Sequence, residues 1–398
     1  MRTSRCAEAE HRLTGSTGRV ISIPMHSARK PSRIEWIDYA RFFAALIVMG
    51  YHYGVNGIRN GKLTGLEPFD RAAAVLQYGY LGVPLFFMIS GFVIMSSASS
   101  GSPLKFAISR VFRLWPAFIV SLTATSIVLA IWPSPLMPIS VGQYLVNLTM
   151  IPTTFGVPVV DGVYWTLKTE LMFYAAVLVV LSLRLIDYAQ VLVEVWIIWL
   201  LVSFAMGSGH GFLQSYDAFF AAGCTFFFVY RDGLSPRAAV AAVACVVVGV
   251  QVAELPTTDF INGTYGPTLS HQVVIGIVVA FFVTFLAMCA STIGLKTLPY
   301  ARQIGALTYP MYLLHAHIGY TLMSKFGSGG HPVVTLITMA AVVLVTSWLI
   351  ARFVERPAQQ FRPLVERLLL RPRIATAMPA AQALDEEQVL GLVPEKRA

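Results

Sequence analysis

Hydrophobic positions along the chain fall into runs near twenty residues long that recur from one end to the other. About twenty apolar residues are what an α-helix needs to cross a hydrocarbon core. Candidate spans are 37–56, 76–97, 111–132, 166–186, 190–208, 214–230, 237–255, 271–291, 303–324 and 333–353. The pattern predicts an all-α, polytopic integral membrane protein of about ten transmembrane helices. The run 214–230, interrupted by Gln214, Asp217 and Gly223, is the weakest of these spans.

The first span carries polar residues that a membrane segment does not need for its own sake. Within Ile37 to Gly54 stand Asp38, Arg41 and His52, and ionisable residues at such depth usually face a protein interior or a wet cavity and mark function. Arg41 and His52 are eleven residues apart. That is about three helical turns, which puts both on nearly one face and roughly 16 Å apart along the axis. Asp38, three residues before Arg41, lies on the same side within reach of an ion pair.

Charge then gives the helices a direction. If the amino terminus is inside, the inner segments hold twenty-three of the twenty-nine basic residues and the outer loops four: Arg59, Lys62, Arg71 and Lys325. This is the expected cytoplasmic excess, so both termini are read as cytoplasmic. Residues 1–35 then form a basic cytoplasmic tail that we expect to be disordered, with Met25 a candidate true start. Residues 36–357 form the membrane domain and 358–398 a second cytoplasmic tail. The proline-rich stretch 133–164 has no Lys or Arg and is long enough to cover an extracytoplasmic opening.

Composition removes several function classes. With 56% hydrophobic and 12% charged residues, a soluble domain is excluded. A net charge of +9 would suit nucleic acid only if the basic residues made one patch, and they are spread over the inner loops. Cys6, Cys224, Cys245 and Cys289 are scattered, with no metal or disulfide spacing. No internal repeat argues for an inverted-repeat transporter.

With direction fixed, depth follows for the other polar residues. Arg41 lies toward the inside and His52 toward the outside. In the second span Gly79, Gly82, Ser90 and Gly91 let neighbouring backbones approach, and Ser90 is a candidate orienting residue. Arg110 and Arg113, one turn apart at the inner end of the third span, have two readings: positive-inside anchors, or, with Arg41, a pocket for a polyphosphate ligand. Glu170, about one turn into the fourth span from outside, is expected near the depth of His52, either as glue or facing its cavity. His315 and His317 in the ninth span point about 200° apart, so both cannot face one site, and they make a poor metal chelate. We take His315 as the inward one, a buried core histidine being the alternative.

These residues lie in segments that carry a family resemblance: Asp38-x-x-Arg41 with His52, GVPLFFMISGF (82–92), SRVFRLWP (109–116), YWTLKTELMFY (164–174), YPMYLLH (309–315) and VERP (354–357). Each is weak alone, but in this order the sequence resembles the membrane acyltransferase 3 family over nearly all of 34–357. The resemblance implies a ten-helix enzyme of the bacterial cytoplasmic (inner) membrane. Such an enzyme takes an acyl group, often acetyl, from cytoplasmic acyl-CoA and delivers it to a hydroxyl of an extracytoplasmic glycan such as an exopolysaccharide, a lipopolysaccharide or an oligosaccharide. The chain lacks the length for the extra periplasmic domain of many members and resembles the stand-alone ones. On this reading His52, Glu170 and His315 are the candidate catalytic residues, Arg41, Arg110 and Arg113 bind the acyl-CoA donor, and Asp38 and Ser90 orient them. Direct transfer with His52 as general base and a covalent acyl-histidine step both remain open. Expected partners are membrane lipids and a glycan or lipid-linked glycan, with no nucleic acid and no metal. A transporter or flippase using the same cavity without acyl chemistry is the alternative.

Overall fold

The computed structural model describes residues 34–66, 70–99, 101–207, 216–265, 269–290, 298–327 and 331–370. The helices are α1 (Glu35–Tyr51), α2 (Gly57–Arg59), α3 (Asp70–Leu76), α4 (Gly82–Ala98), α5 (Pro103–Ile131), α6 (Val141–Asn147), α7 (Trp165–Ser182), α8 (Ala189–Ala205), α9 (Asp217–Asp232), α10 (Pro236–Tyr265), α11 (His271–Ala290), α12 (Ala301–Leu314), α13 (Ala316–Phe326), α14 (Pro332–Ile350) and α15 (Arg356–Leu370). Among the described residues there is no strand, only one isolated bridge between Ser134 and Met137. The chain is thus an all-α polytopic membrane protein, as the apolar runs predict.

Six helical stretches among the described residues are long and apolar enough to cross a membrane: Ala72–Ala98, Pro103–Ile131, Gly162–Ser182, Ile186–Ala205, His271–Ala290 and Pro332–Leu370. The other expected spans are helical but shorter, broken or more polar. Residues 37–56 become α1 and a π-helical turn at His52–Asn56. The expected span 303–324 is two helices that break at His315. Most of the amino-terminal stretch read as a tail lies outside the described residues, whereas the first part of the carboxyl-terminal stretch is helix α15.

The weakest run of the sequence gives the most enclosed helix. Every residue of α9 from Asp217 to Val229 is buried, because its phenylalanines stand on all sides while its small residues face α4. A Cβ on Gly223 would sit 2.0 Å from the Met88 carbonyl oxygen, and one on Gly91 would sit 2.2 Å from that of Phe220. Both are backbone atoms, so the two helices cross at a separation only glycine permits, as small residues allow in membrane helix pairs. On its other face α4 meets α1, where a Cβ on Gly82 would lie 2.7 Å from the Ala44 carbonyl oxygen. Helix α1 also packs on α12, with Gly305 directly beneath the Asp38 carboxylate. Held between α4 and α12, α1 carries its polar face into the bundle.

Candidate active site

Two polar clusters lie along α1, one around each of its expensive residues. The first gathers at the end of α1, where His52 opens the π-helical turn and the Gly57 amide donates to the His52 carbonyl. Such wide turns occur frequently at functional sites. Opposite, where α12 passes into α13 at His315, the His317 amide donates to Asp161 instead of back to Leu313, which leaves the Leu313 carbonyl without its helix donor. The Leu313 carbonyl accepts from the Tyr164 hydroxyl at 3.2 Å. The Tyr312 carbonyl lies 2.8 Å from Nδ1 of His315, and that of Met311 lies 3.2 Å away.

These contacts fix the protons. A carbonyl only accepts, so Nδ1 of His315 carries the hydrogen and its Nε2 presents a lone pair. Nδ1 of His52 lies 2.7 Å from that Nε2 and must therefore donate to it. In the neutral pair this leaves His52 with an unprotonated Nε2, a base whose orientation is set by a completely buried second histidine.

His317 points elsewhere, as two residues of helical spacing require. Its backbone N–H donates to Asp161 Oδ2 at 2.8 Å and its Nδ1 donates to the Val160 carbonyl at 2.9 Å. Its Nε2 receives the Gly162 amide at 3.4 Å and the Lys62 ammonium at 3.3 Å. Burial lowers the pKa of that ammonium, against the opposing pull of Asp161. Asp161 is itself wholly buried and accepts from the Val163 amide at 3.1 Å. Asn147 ties the same segment down, receiving the Val160 amide at 2.9 Å and donating to the Pro158 carbonyl at 3.0 Å. The end of the long proline-rich loop is thereby fastened beside the histidine pair.

The second cluster surrounds Arg41. Glu170 accepts from the hydroxyls of Ser90 at 2.9 Å and Tyr174, and Arg41 lies within electrostatic range of Arg113, Glu170 and Asp38. Arg113 pairs with Glu355 at 3.3 Å and lies over the Tyr309 ring at 5.4 Å. Arg110 donates to the hydroxyls of Ser97 at 3.3 Å and Ser109 at 3.0 Å, with its guanidinium over Phe106 and Tyr174. Cations stacked on aromatic faces with hydroxyls at their edges keep fixed positions while holding their charge.

The structure thus brings together His52 with His315, and Arg41 with Glu170 and Arg113. The hydrogen bonds of Glu170 among the described residues run to Ser90 and Tyr174. Three residues were missed by sequence reasoning. Tyr174 and Glu355 lie inside the quoted segments and could have been found by asking which groups balance Arg41 and Arg113. Asp161 gave no signal beyond its position before α7.

The sequence profile of the acyltransferase domain, acyltransferase 3, matches residues 34–352, which include both clusters apart from Glu355. The chain is similar to Nodulation protein 10 of Rhizobium leguminosarum bv. viciae, at 28% identity over 366 residues that cover 82% of this chain and 93% of that protein. No solved structure matches the chain. A profile spanning most of the chain, on an all-helical membrane fold, places this protein in the acyltransferase 3 family.

Proposed function

We propose that the protein transfers an acyl group, acetyl in the first instance, from cytoplasmic acyl-CoA to a hydroxyl of an extracytoplasmic glycan, and that it does so in a bacterial cytoplasmic membrane. The observation that carries this reading is the histidine pair. Its hydrogen bonds leave Nε2 of His52 free to accept a proton, on the same helix that carries Arg41 about 16 Å away. The similarity to a nodulation protein favours a glycan-type acceptor.

In the proposed reaction Nε2 of His52 removes the proton of the sugar hydroxyl as its oxygen attacks the thioester carbonyl. The carbon–sulfur bond of the resulting tetrahedral adduct then breaks, and the departing CoA sulfur takes the proton back from His52. The products are the ester and free CoA. While His52 is charged, its Nδ1–H donates to Nε2 of His315, which stabilises the imidazolium and holds the ring in place. In this scheme Glu170 belongs with the arginine cluster and takes no part in the proton transfer. It fixes the arginine cluster through Ser90 and Tyr174.

The CoA phosphates would meet Arg110 and Arg113, with Arg41 further along the pantetheine arm's course. Guanidinium groups match phosphate geometry, and Arg110 spends its described hydrogen bonds on neutral hydroxyls, so its charge is available to an anion. Arg110→Ala combined with Arg113→Ala is expected to weaken acyl-CoA binding by about tenfold or more, since one charged hydrogen bond contributes roughly 1.5–3 kcal/mol. Unchanged binding in a filtration or calorimetric assay would return both residues to the role of topological anchors.

The test of the reading as a whole is purified protein in liposomes with labelled acetyl-CoA and a glycan acceptor. Release of CoA that depends on acceptor and protein, with label appearing in the glycan, is expected. Movement of glycan across the membrane without CoA release would instead identify a transporter.

A further inference from the structure

The carboxyl-terminal helix α15 lies beyond the family match, which ends at residue 352. It continues from α14 through the π-helical turn Ala351–Glu355, and the helical stretch Pro332–Leu370 has 39 residues. At 1.5 Å per residue that is about 58 Å, roughly twice the hydrocarbon thickness of a bilayer. α15 therefore reaches the level of the headgroups.

Its surface is divided. Phe361, Leu364 and Leu368, at helical spacings of three and four, form one stripe and are 61%, 54% and 59% exposed. The neighbouring flank carries the exposed Arg356 and Arg367, eleven residues apart and so on one face. The opposite flank is fastened to α5, where Gln359 donates to the Phe112 carbonyl at 2.9 Å. Both carboxylates of the segment are engaged, Glu355 by Arg113 and Glu366 by Arg362 at 2.7 Å, which leaves a net positive charge along it. The apolar stripe also continues an exposed aromatic edge of the preceding segment, where Phe353 meets Trp348 with ring centroids 6.3 Å apart.

A stripe of three large apolar side chains is poorly placed in water, and the arginines are poorly placed in hydrocarbon. The boundary between headgroups and acyl chains accommodates both. We infer that α15 docks on an anionic phospholipid leaflet, with Phe361, Leu364 and Leu368 entering the acyl boundary and Arg356 and Arg367 on the headgroup phosphates. The charge left on the segment selects an anionic leaflet over a neutral one. Because α15 begins next to Glu355, this docking also holds the carboxylate that engages Arg113.

The test uses full-length protein with its native cysteines replaced, labelled with an environment-sensitive fluorophore at Leu364→Cys or, as the control off the stripe, at Pro363→Cys, about 100° or more round the helix from each stripe residue. Both are exposed surface positions, so folding is not at risk. In nanodiscs containing phosphatidylglycerol, lipids that carry a quencher near the headgroup should quench the label at 364 much more than the label at 363. Adding Arg356→Gln and Arg367→Gln should lower the preference for anionic over neutral lipid by about fivefold per arginine. Equal quenching at the two positions would overturn the inference. So would quenching that ignores lipid charge, or shielding of the 364 label that rises with protein concentration in detergent, which would mark a second copy as the occupant.

Discussion

Replacing His52 with alanine is expected to lower acyl transfer by about 10²- to 10⁴-fold, the usual contribution of a positioned general base, while the protein inserts at normal abundance. The expectation follows from the hydrogen bonds rather than from the presence of a histidine. His315 is committed through its Nδ1 to the Tyr312 carbonyl, so it cannot take the acceptor's proton through that nitrogen, and its Nε2 already receives His52. His52 alone retains a free basic nitrogen in this pair. His315→Gln should then lose less than His315→Leu, because a glutamine amide oxygen can still accept from Nδ1 of His52. Transfer measured with labelled acetyl-CoA in liposomes separates the variants, and near-normal activity in His52→Ala would place the base elsewhere.

Gly223→Ala should be the most damaging small substitution in the fold. Its new Cβ would lie 2.0 Å from the Met88 carbonyl oxygen and 2.7 Å from the Phe92 nitrogen. Neither atom can turn away as a side chain would, so α4 and α9 must separate along their length. Overpacking of a well-filled interior costs about 1–3 kcal/mol and sometimes more, and here the upper part of that range is expected. Gly276→Ala supplies the control. Nothing lies within 4 Å of a Cβ at that position in α11, and exchanging glycine for alanine in a helix favours the helix by up to about 1 kcal/mol. Thermal unfolding in detergent should therefore fall sharply for Gly223→Ala and hold or rise for Gly276→Ala. A similar melting temperature for the two would show that the α4–α9 crossing is not the tight contact described. Since Ser90 adjoins Gly91, separation of these helices would also pull the Ser90 hydroxyl from Glu170.

The helices were legible because crossing a bilayer demands length and apolarity, and both are written in consecutive residues. The shared face of Arg41 and His52, and the divergence of His315 from His317, were legible for a related reason: each follows from helical spacing within one segment. What could not be read depends on how separate segments meet. The bond from Ser90 to Glu170 joins positions 80 residues apart and has no local signature. The pairing of Arg113 with Glu355 joins positions 242 residues apart. Nothing in the run around His315 shows that its Nδ1 meets the Tyr312 carbonyl, the contact that sets the tautomer of the pair. Helix α15 is not legible as an apolar run, because its arginines interrupt a stripe that emerges only at the helical period.

The two π-helical turns, at His52–Asn56 and Ala351–Glu355, begin or end on His52 and Glu355. A π turn holds one residue more than the α-helix around it can accommodate, so beyond each turn the chain is one position out of phase with what precedes it. Asn56, which donates to the Tyr320 hydroxyl at 3.3 Å, owes its direction to that offset. Around His52 the number of residues is thus as much a determinant as their chemistry. A chain one residue shorter within 53–56 could keep His52, His315 and Tyr320 and still present the following segment rotated by about 100°.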